Sequence, residues 1–205
     1  NSVTILDDLN TGKISNLESI KEKINFVNGD IRDVDLLKDI CKEFKIYIIM
    51  TTNTIGLNLK ETSVLTNQLN ELLSNFQIYY QNLRGLHWNI KGKNFFELHL
   101  KFEELYTDSQ EKIDLIAERI LTLEGVPLHT FSDYMAQSKI RVGKNISNDE
   151  KAIGLIIEVI TTLLVLERHI LETAATANDE GTNSMMSDFI AEQEKTVWML
   201  KAWLS

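Results

Sequence analysis

The chain has 205 residues, 43% hydrophobic and 25% charged, which suits a soluble globular protein with one good core or one domain plus an appendage. Its formal net charge of -9 repels nucleic acid unless a local basic patch or tail is present. The single cysteine, Cys41, has no partner for an intrachain disulfide, which fits a reducing, cytoplasmic setting. No basic stretch followed by an apolar run opens the sequence, so no signal peptide is expected. The single proline suits a chain made mostly of helices, though other classes can also be proline-poor.

Composition shifts near residue 52 and divides the chain into 1–51 and 52–205. In the first part Val3–Leu6, Asn25–Val27 and Ile46–Met50 are short β-type runs, and Asp35–Phe44 reads as a helix. Strands alternating with helices predict a parallel α/β-like fragment. Helical periodicity begins at about Thr62. A first helix to about Trp88 places Leu65, Leu69, Leu72, Phe76, Tyr79 (or Tyr80), Leu83 and Leu86 on one apolar stripe. Residues 89–94 break it, with Gly92 at the turn. A second helix runs from about Phe95 to Leu123 and stops before Gly125 and Pro127. A short amphipathic helix is expected at 130–137. The run Ser147-Asn148-Asp149-Glu150 carries a capping-box signature and opens a third helix, which ends near Ala175. Its apolar stretch, 154–166, is interrupted by Glu158 and is too short to cross a bilayer, so it reads as a buried helix and no membrane span is expected. Residues 178–183 break the pattern again, and a fourth helix runs to Trp203. The expected fold is all-α: a four-helix bundle with a short helix in its middle connection, plus the N-terminal α/β-like fragment.

Five side chains between residues 87 and 118 could bind a metal: His87, His99, Glu103, Asp114 and Glu118. His99 and Glu103 are one helical turn apart, and so are Asp114 and Glu118. Glu103 and Asp114 return to nearly the same helix face but lie roughly 16 Å apart along it, too far to share an ion within one chain. Two antiparallel copies of this helix about a two-fold axis would join the upper half of one set to the lower half of the other. If these residues bind metal, the site is therefore expected between subunits. Imidazole with carboxylates is a fitting ligand set for iron. Paired carboxylates one turn apart repel each other, a cost that a cation would offset. The alternative for Glu103, beside Glu104, is a solvated charged face. His129 and His169 read as structural or surface residues. The chain has no Glu-x-x-His pair, which argues against a di-iron site inside a single bundle.

The segments YYQNLRGLHWNIKGKNFFELHLKFEELY (79–106), KIDLIAERILTLEGVPLHTFSDY (112–134) and KTVWMLKAWLS (195–205) resemble the Dps family, the miniature ferritins named for DNA protection during starvation. The resemblance spans about Thr52 to Ser205. It implies a ferritin-like fold and a hollow homo-dodecamer with iron centres at two-fold interfaces. His87, His99 and Glu103 would come from one subunit, and Asp114 and Glu118 from its partner. Fe(II) would be oxidised to Fe(III) by hydrogen peroxide, preferred over dioxygen, and stored as mineral. Trp88 would sit beside the centre and absorb stray oxidising equivalents, or simply pack there. The family's usual residue at position 103 is Asp; Glu keeps the carboxylate and adds a methylene. Asp179, Glu180 and Asp188 could line an acidic pore, or serve as charges favoured at a helix N-terminus.

The alternative function is a DNA-compacting protein with little ferroxidase role. Family members that bind DNA often do so through Lys-rich tails, and no such tail is visible, so no DNA binding is expected. A third reading is a scaffold whose iron site is inactive.

The segments VTILDDLNTGKISNL (3–17) and INFVNGDIRDVDLL (24–37) resemble the extended short-chain dehydrogenases of the sugar-nucleotide epimerase group. The resemblance would put Asp7 or Asp8 at an adenosine ribose and Asp30 near an adenine. That family's glycine-rich loop and Tyr-x-x-x-Lys pair are missing, so no nicotinamide cofactor is expected. The fragment is expected to be non-functional, and either poorly packed or refolded around the second segment.

Overall fold

Short apolar runs at either side of a turn-rich stretch become two parallel strands, β1 (Val3–Asp7) and β2 (Ile24–Asn28). They pair in register from Val3 opposite Ile24 to Asp7 opposite Asn28. The computed structural model describes residues 3–9, 14–30, 32–44 and 52–205. The strand expected at Ile46–Met50 lies outside the described residues. The chain divides into two compact units, Asn1–Met50 and Thr51–Ser205.

In the first unit a 3-10 helix, Ile14–Lys23, links the strands, and α1 (Val34–Phe44) follows them. Asp33 caps α1 by accepting from the N–H groups of Asp35 and Leu36. Gly29 lies where α1 closes on the strands: a Cβ there would lie 2.1 Å from the end of the Leu36 side chain, which would have to shift. Asp30 does not stand free: it is bonded to the Arg32 guanidinium and backbone, which holds its carboxyl down at about 2. No described side chain up to Ile40 is fully buried. A two-stranded parallel sheet with no buried layer leaves backbone groups open to water.

The second unit is the helical bundle. Its long helices are α2 (Leu59–Asn89), α3 (Phe95–Thr122), α5 (Asp149–Thr176) and α6 (Glu180–Leu204). The short α4 (Phe131–Gln137) lies in the connection between α3 and α5 and packs on α2. The α2 stripe is buried as its period predicts, and Tyr79 rather than Tyr80 faces inward. Phe76 meets Phe189 of α6 edge to face, with ring centres 6.0 Å apart. Two helix starts differ from the sequence reading. Asn148 alone caps α5, accepting from Lys151 N–H, so the capping box is not formed. Asp179 caps α6, which therefore begins three residues before the expected break ends.

Three asparagines on α2 hold the long connection. Asn70 bonds Leu128 N–H and the Val126 carbonyl. Asn75 accepts from Lys139 N–H. Asn82 bonds the Arg141 carbonyl and Gly143 N–H. Asn70 and Asn82 each offer a donor and an acceptor to loop backbone that has no regular partner, whereas Asn75 offers only its oxygen and donates to the Glu71 carbonyl of its own helix. No helix among the described residues is long and apolar enough to cross a membrane.

Amide hydrogen exchange tests the contrast between the units. The amides of β1, β2 and α1 should exchange far sooner than those of α2, α3 and α5; comparable protection in the two units would contradict this description.

Candidate metal centre

Gly92, at φ +118°, turns the chain between α2 and α3, a conformation that side-chain-bearing residues rarely adopt. The turn brings His87, in the last turn of α2, against His99, in the second turn of α3. Their rings stack with centres 3.7 Å apart and planes inclined by 19°. Each ring is tied to the other residue's backbone. His87 Nδ1 donates to the His99 carbonyl at 2.8 Å, and His99 Nδ1 donates to the His87 carbonyl at 2.9 Å. A carbonyl only accepts, so each Nδ1 must carry the proton. In the neutral ring that leaves each Nε2 with its lone pair, the arrangement found in metal-ligating histidines. The His87 carbonyl is free for this bond because Lys91 N–H, its regular helical partner, bonds instead to the Ser147 carbonyl.

Aromatic rings frame the pair. Phe95 stacks on His99 at 5.1 Å, and Tyr106 meets His87 edge-on at 5.4 Å. Burial pushes the Tyr106 hydroxyl up, and the charge of Glu103 together with a hydrogen bond to it keeps that proton in place. The Arg84 guanidinium lies over the rings of Tyr80 and Trp88, at 5.3 and 4.7 Å. Trp88 itself is 57% exposed, so it is not a core residue of its own subunit.

His87 is buried, His99 half-buried and Glu103 exposed. Asp114 and Glu118 are also exposed on α3, one turn apart, while Ile116 between them is buried. The structure thus brings His87 against His99 and leaves Glu103, Asp114 and Glu118 exposed along α3. Among the described residues no three His, Cys, Asp or Glu side chains converge as a metal-binding group.

Of the acidic residues that could line a pore or serve at a helix start, Asp179 does the second. Asp179 is buried and bonded to the Arg119 guanidinium and to the Thr182 N–H and hydroxyl. It is a helix cap and ion-pair partner, not a pore-lining carboxylate. Glu180 and Asp188 remain exposed, and so do His129 and His169. Sequence reasoning did not find Phe95, Tyr106 or Arg84 in the site. The i, i+4 spacings Phe95–His99 and Tyr80–Arg84–Trp88 are signals that could have shown them.

Residues 66–205 match the ferritin-like domain family. A DNA protection during starvation protein from Porphyromonas gingivalis is 38% identical over 148 residues, 72% of this chain and 93% of its own length. The chain belongs to the Dps family of ferritin-like proteins. The crystal structure of a Dps protein from Vibrio cholerae O1 is 50% identical and superimposes with a TM-score of 0.75, covering 78% of this chain and 100% of that one. That Dps is described as a member of a superfamily of ferritin-like diiron-carboxylate proteins. An uncharacterised protein from Haemophilus influenzae is 47% identical over 153 residues, 75% of this chain and 96% of its own. In this Dps chain the residues with the right chemistry for iron are the stacked histidines and the α3 carboxylates.

The imidazole protonation pattern is open to measurement. Nitrogen-15 correlation spectra of the metal-free protein above the imidazole titration range should show both His87 and His99 protonated at Nδ1; an Nε2–H form of either ring would contradict the carbonyl lock.

Proposed function

We propose that this Dps chain is the subunit of an iron-detoxifying ferroxidase and iron store, assembled as a cytoplasmic homo-dodecamer with its reactive centres at two-fold interfaces. The observation that carries this reading is the His87–His99 pair, each ring locked by a carbonyl with Nε2 left to bind. His87, His99 and Glu103 of one subunit and Asp114 and Glu118 of the next would hold two Fe(II) ions as substrate. Glu103 has one methylene more than the family's usual Asp, which lengthens the reach of its carboxylate.

Hydrogen peroxide accepts one electron from each Fe(II), its O–O bond breaks, and no hydroxyl radical is released when both electrons arrive together. Fe(III) then hydrolyses and is stored. The protein's part is to bring two irons close enough for the two-electron step to outrun single-electron chemistry. Trp88, exposed, next to His87 in the chain and under the Arg84 guanidinium, would take up a stray oxidising equivalent. A net charge of -9 favours Fe(II) arrival. The same charge opposes contact with nucleic acid, so the DNA protection for which relatives are named would act here through removal of iron and peroxide.

Anaerobic loading with Fe(II) followed by peroxide, tracked by absorbance, tests the site. His87→Ala should slow the initial oxidation at least about ten-fold. Equal initial rates in wild type and variant would sink the assignment.

A further inference from the structure

A lysine sits in the interior of the bundle. Lys112 of α3 is 4% exposed. Its ammonium is bonded to Asp108, one turn earlier, and to Glu192 of α6 at 2.7 Å. It also lies 5.2 Å from the centre of the Phe189 ring. Burial alone would discharge such a group, but the hydrogen bonds to Asp108 and Glu192 outweigh it and hold the proton more firmly than usual.

A third acidic residue completes the cluster from another helix. Glu167 of α5 has no exposed surface, and its Oε1 accepts from the Gln193 side chain of α6. Burial pushes the Glu167 carboxyl up to about 7, against the hydrogen bond from Gln193 and the charge of Lys112. Glu167 Oε2 and Gln193 Oε1 are buried with no hydrogen-bond partner among the described residues. Gln193, Asp108, Lys112 and Glu192 line one cavity of about 450 Å³, floored by Tyr79. Two helices thus bond the ammonium through carboxylates that reach solvent, Asp108 at 46% and Glu192 at 64% exposure, and the buried Glu167–Gln193 pair lies beside them.

Oxygen donors from facing helices are what hard divalent cations take, and carboxylate sites inside a bundle are built this way. Here the carboxylates close on the lysine nitrogen and not on a shared open point. We propose that the bundle interior is a cation site whose occupant is the chain's own Lys112, and that this tethered ammonium bars divalent metal from the interior. Lys112 has this role whether or not the α3 carboxylates and histidines oxidise Fe(II). Without its ammonium, Asp108 and Glu192 would lose the counter-charge they share, beside the buried Glu167. A divalent cation would then be favoured in its place.

Equilibrium dialysis of the full-length protein against Co(II) tests this. Lys112→Met keeps the length of the side chain and removes its charge, and it should bind one Co(II) per subunit more than wild type. Lys112→Arg keeps a cation and should show no gain. Adding Glu167→Gln to Lys112→Met should weaken the extra binding at least about ten-fold. A folded Lys112→Met protein with the wild-type Co(II) content would overturn the proposal, since protons would then satisfy the cluster. An extra ion that survives Glu167→Gln would overturn it too, because the ion would lie elsewhere. If Lys112→Met does not fold without metal, Co(II) should restore its helical circular dichroism; failure to restore it would count equally against the proposal.

Discussion

A helix rises about 1.5 Å per residue, and that fixed step governs how this subunit can meet a metal ion. Glu103 and Asp114 lie on one unbroken helix, α3, and share a face. No side-chain rotation closes the resulting gap of roughly 16 Å. The bundle reinforces the separation by fastening α3 along its inner side. Glu97 accepts from the Trp203 indole at 2.9 Å, Lys112 reaches Glu192, and Arg119 reaches Asp179 and Thr182. Trp203, Glu192 and Thr182 belong to α6, and Asp179 is its cap. With its inner side so committed, α3 turns Glu103, Asp114 and Glu118 outward.

The histidines are held by a different device. At the end of α2 the regular ladder stops, and a carbonyl that would otherwise need water receives the His99 ring. The reciprocal bond fixes His87. Both rings are then positioned by backbone, which is stiffer than any side-chain partner. The same economy of backbone groups appears in the long connection, where Asn70, Asn75 and Asn82 satisfy loop amides and carbonyls. At Gly181 a side chain would come within 2.9 Å of the Arg119 guanidinium, so the start of α6 is shaped around that ion pair.

Local information carried much of this. The apolar stripe of α2, the Gly92 turn and the span of α3 follow from 3.6-residue periodicity and turn chemistry, and the structure places them within a few residues of expectation. The pairing of β1 with β2 was legible from their β-type composition, whereas the 3-10 helix between them was not. What escaped the sequence depends on partners far along the chain. Asp179 read as either a pore carboxylate or a helix-start charge, and nothing local revealed its partner Arg119, 60 residues away. Lys112 read as one more charge on a helix, and nothing local places Glu192, 80 residues on, against it. Asn82 interrupts a hydrophobic stripe, and its purpose appears only when residues 141–143 are seen beside it. Through-space pairing of polar groups is not periodic, so no pattern in the chain announces it.

The central claim is that one reactive centre needs residues from two subunits. Co-assembly of two inactive variants tests it most directly. His87→Ala spoils one partial set and Glu118→Ala the other. In a mixed dimer one centre would carry both substitutions and the other neither. Random pairing should therefore restore roughly a quarter of the wild-type rate of Fe(II) oxidation by peroxide. If the co-assembled protein is no more active than either variant alone, while its mixed composition is verified by mass, the centre does not lie between subunits.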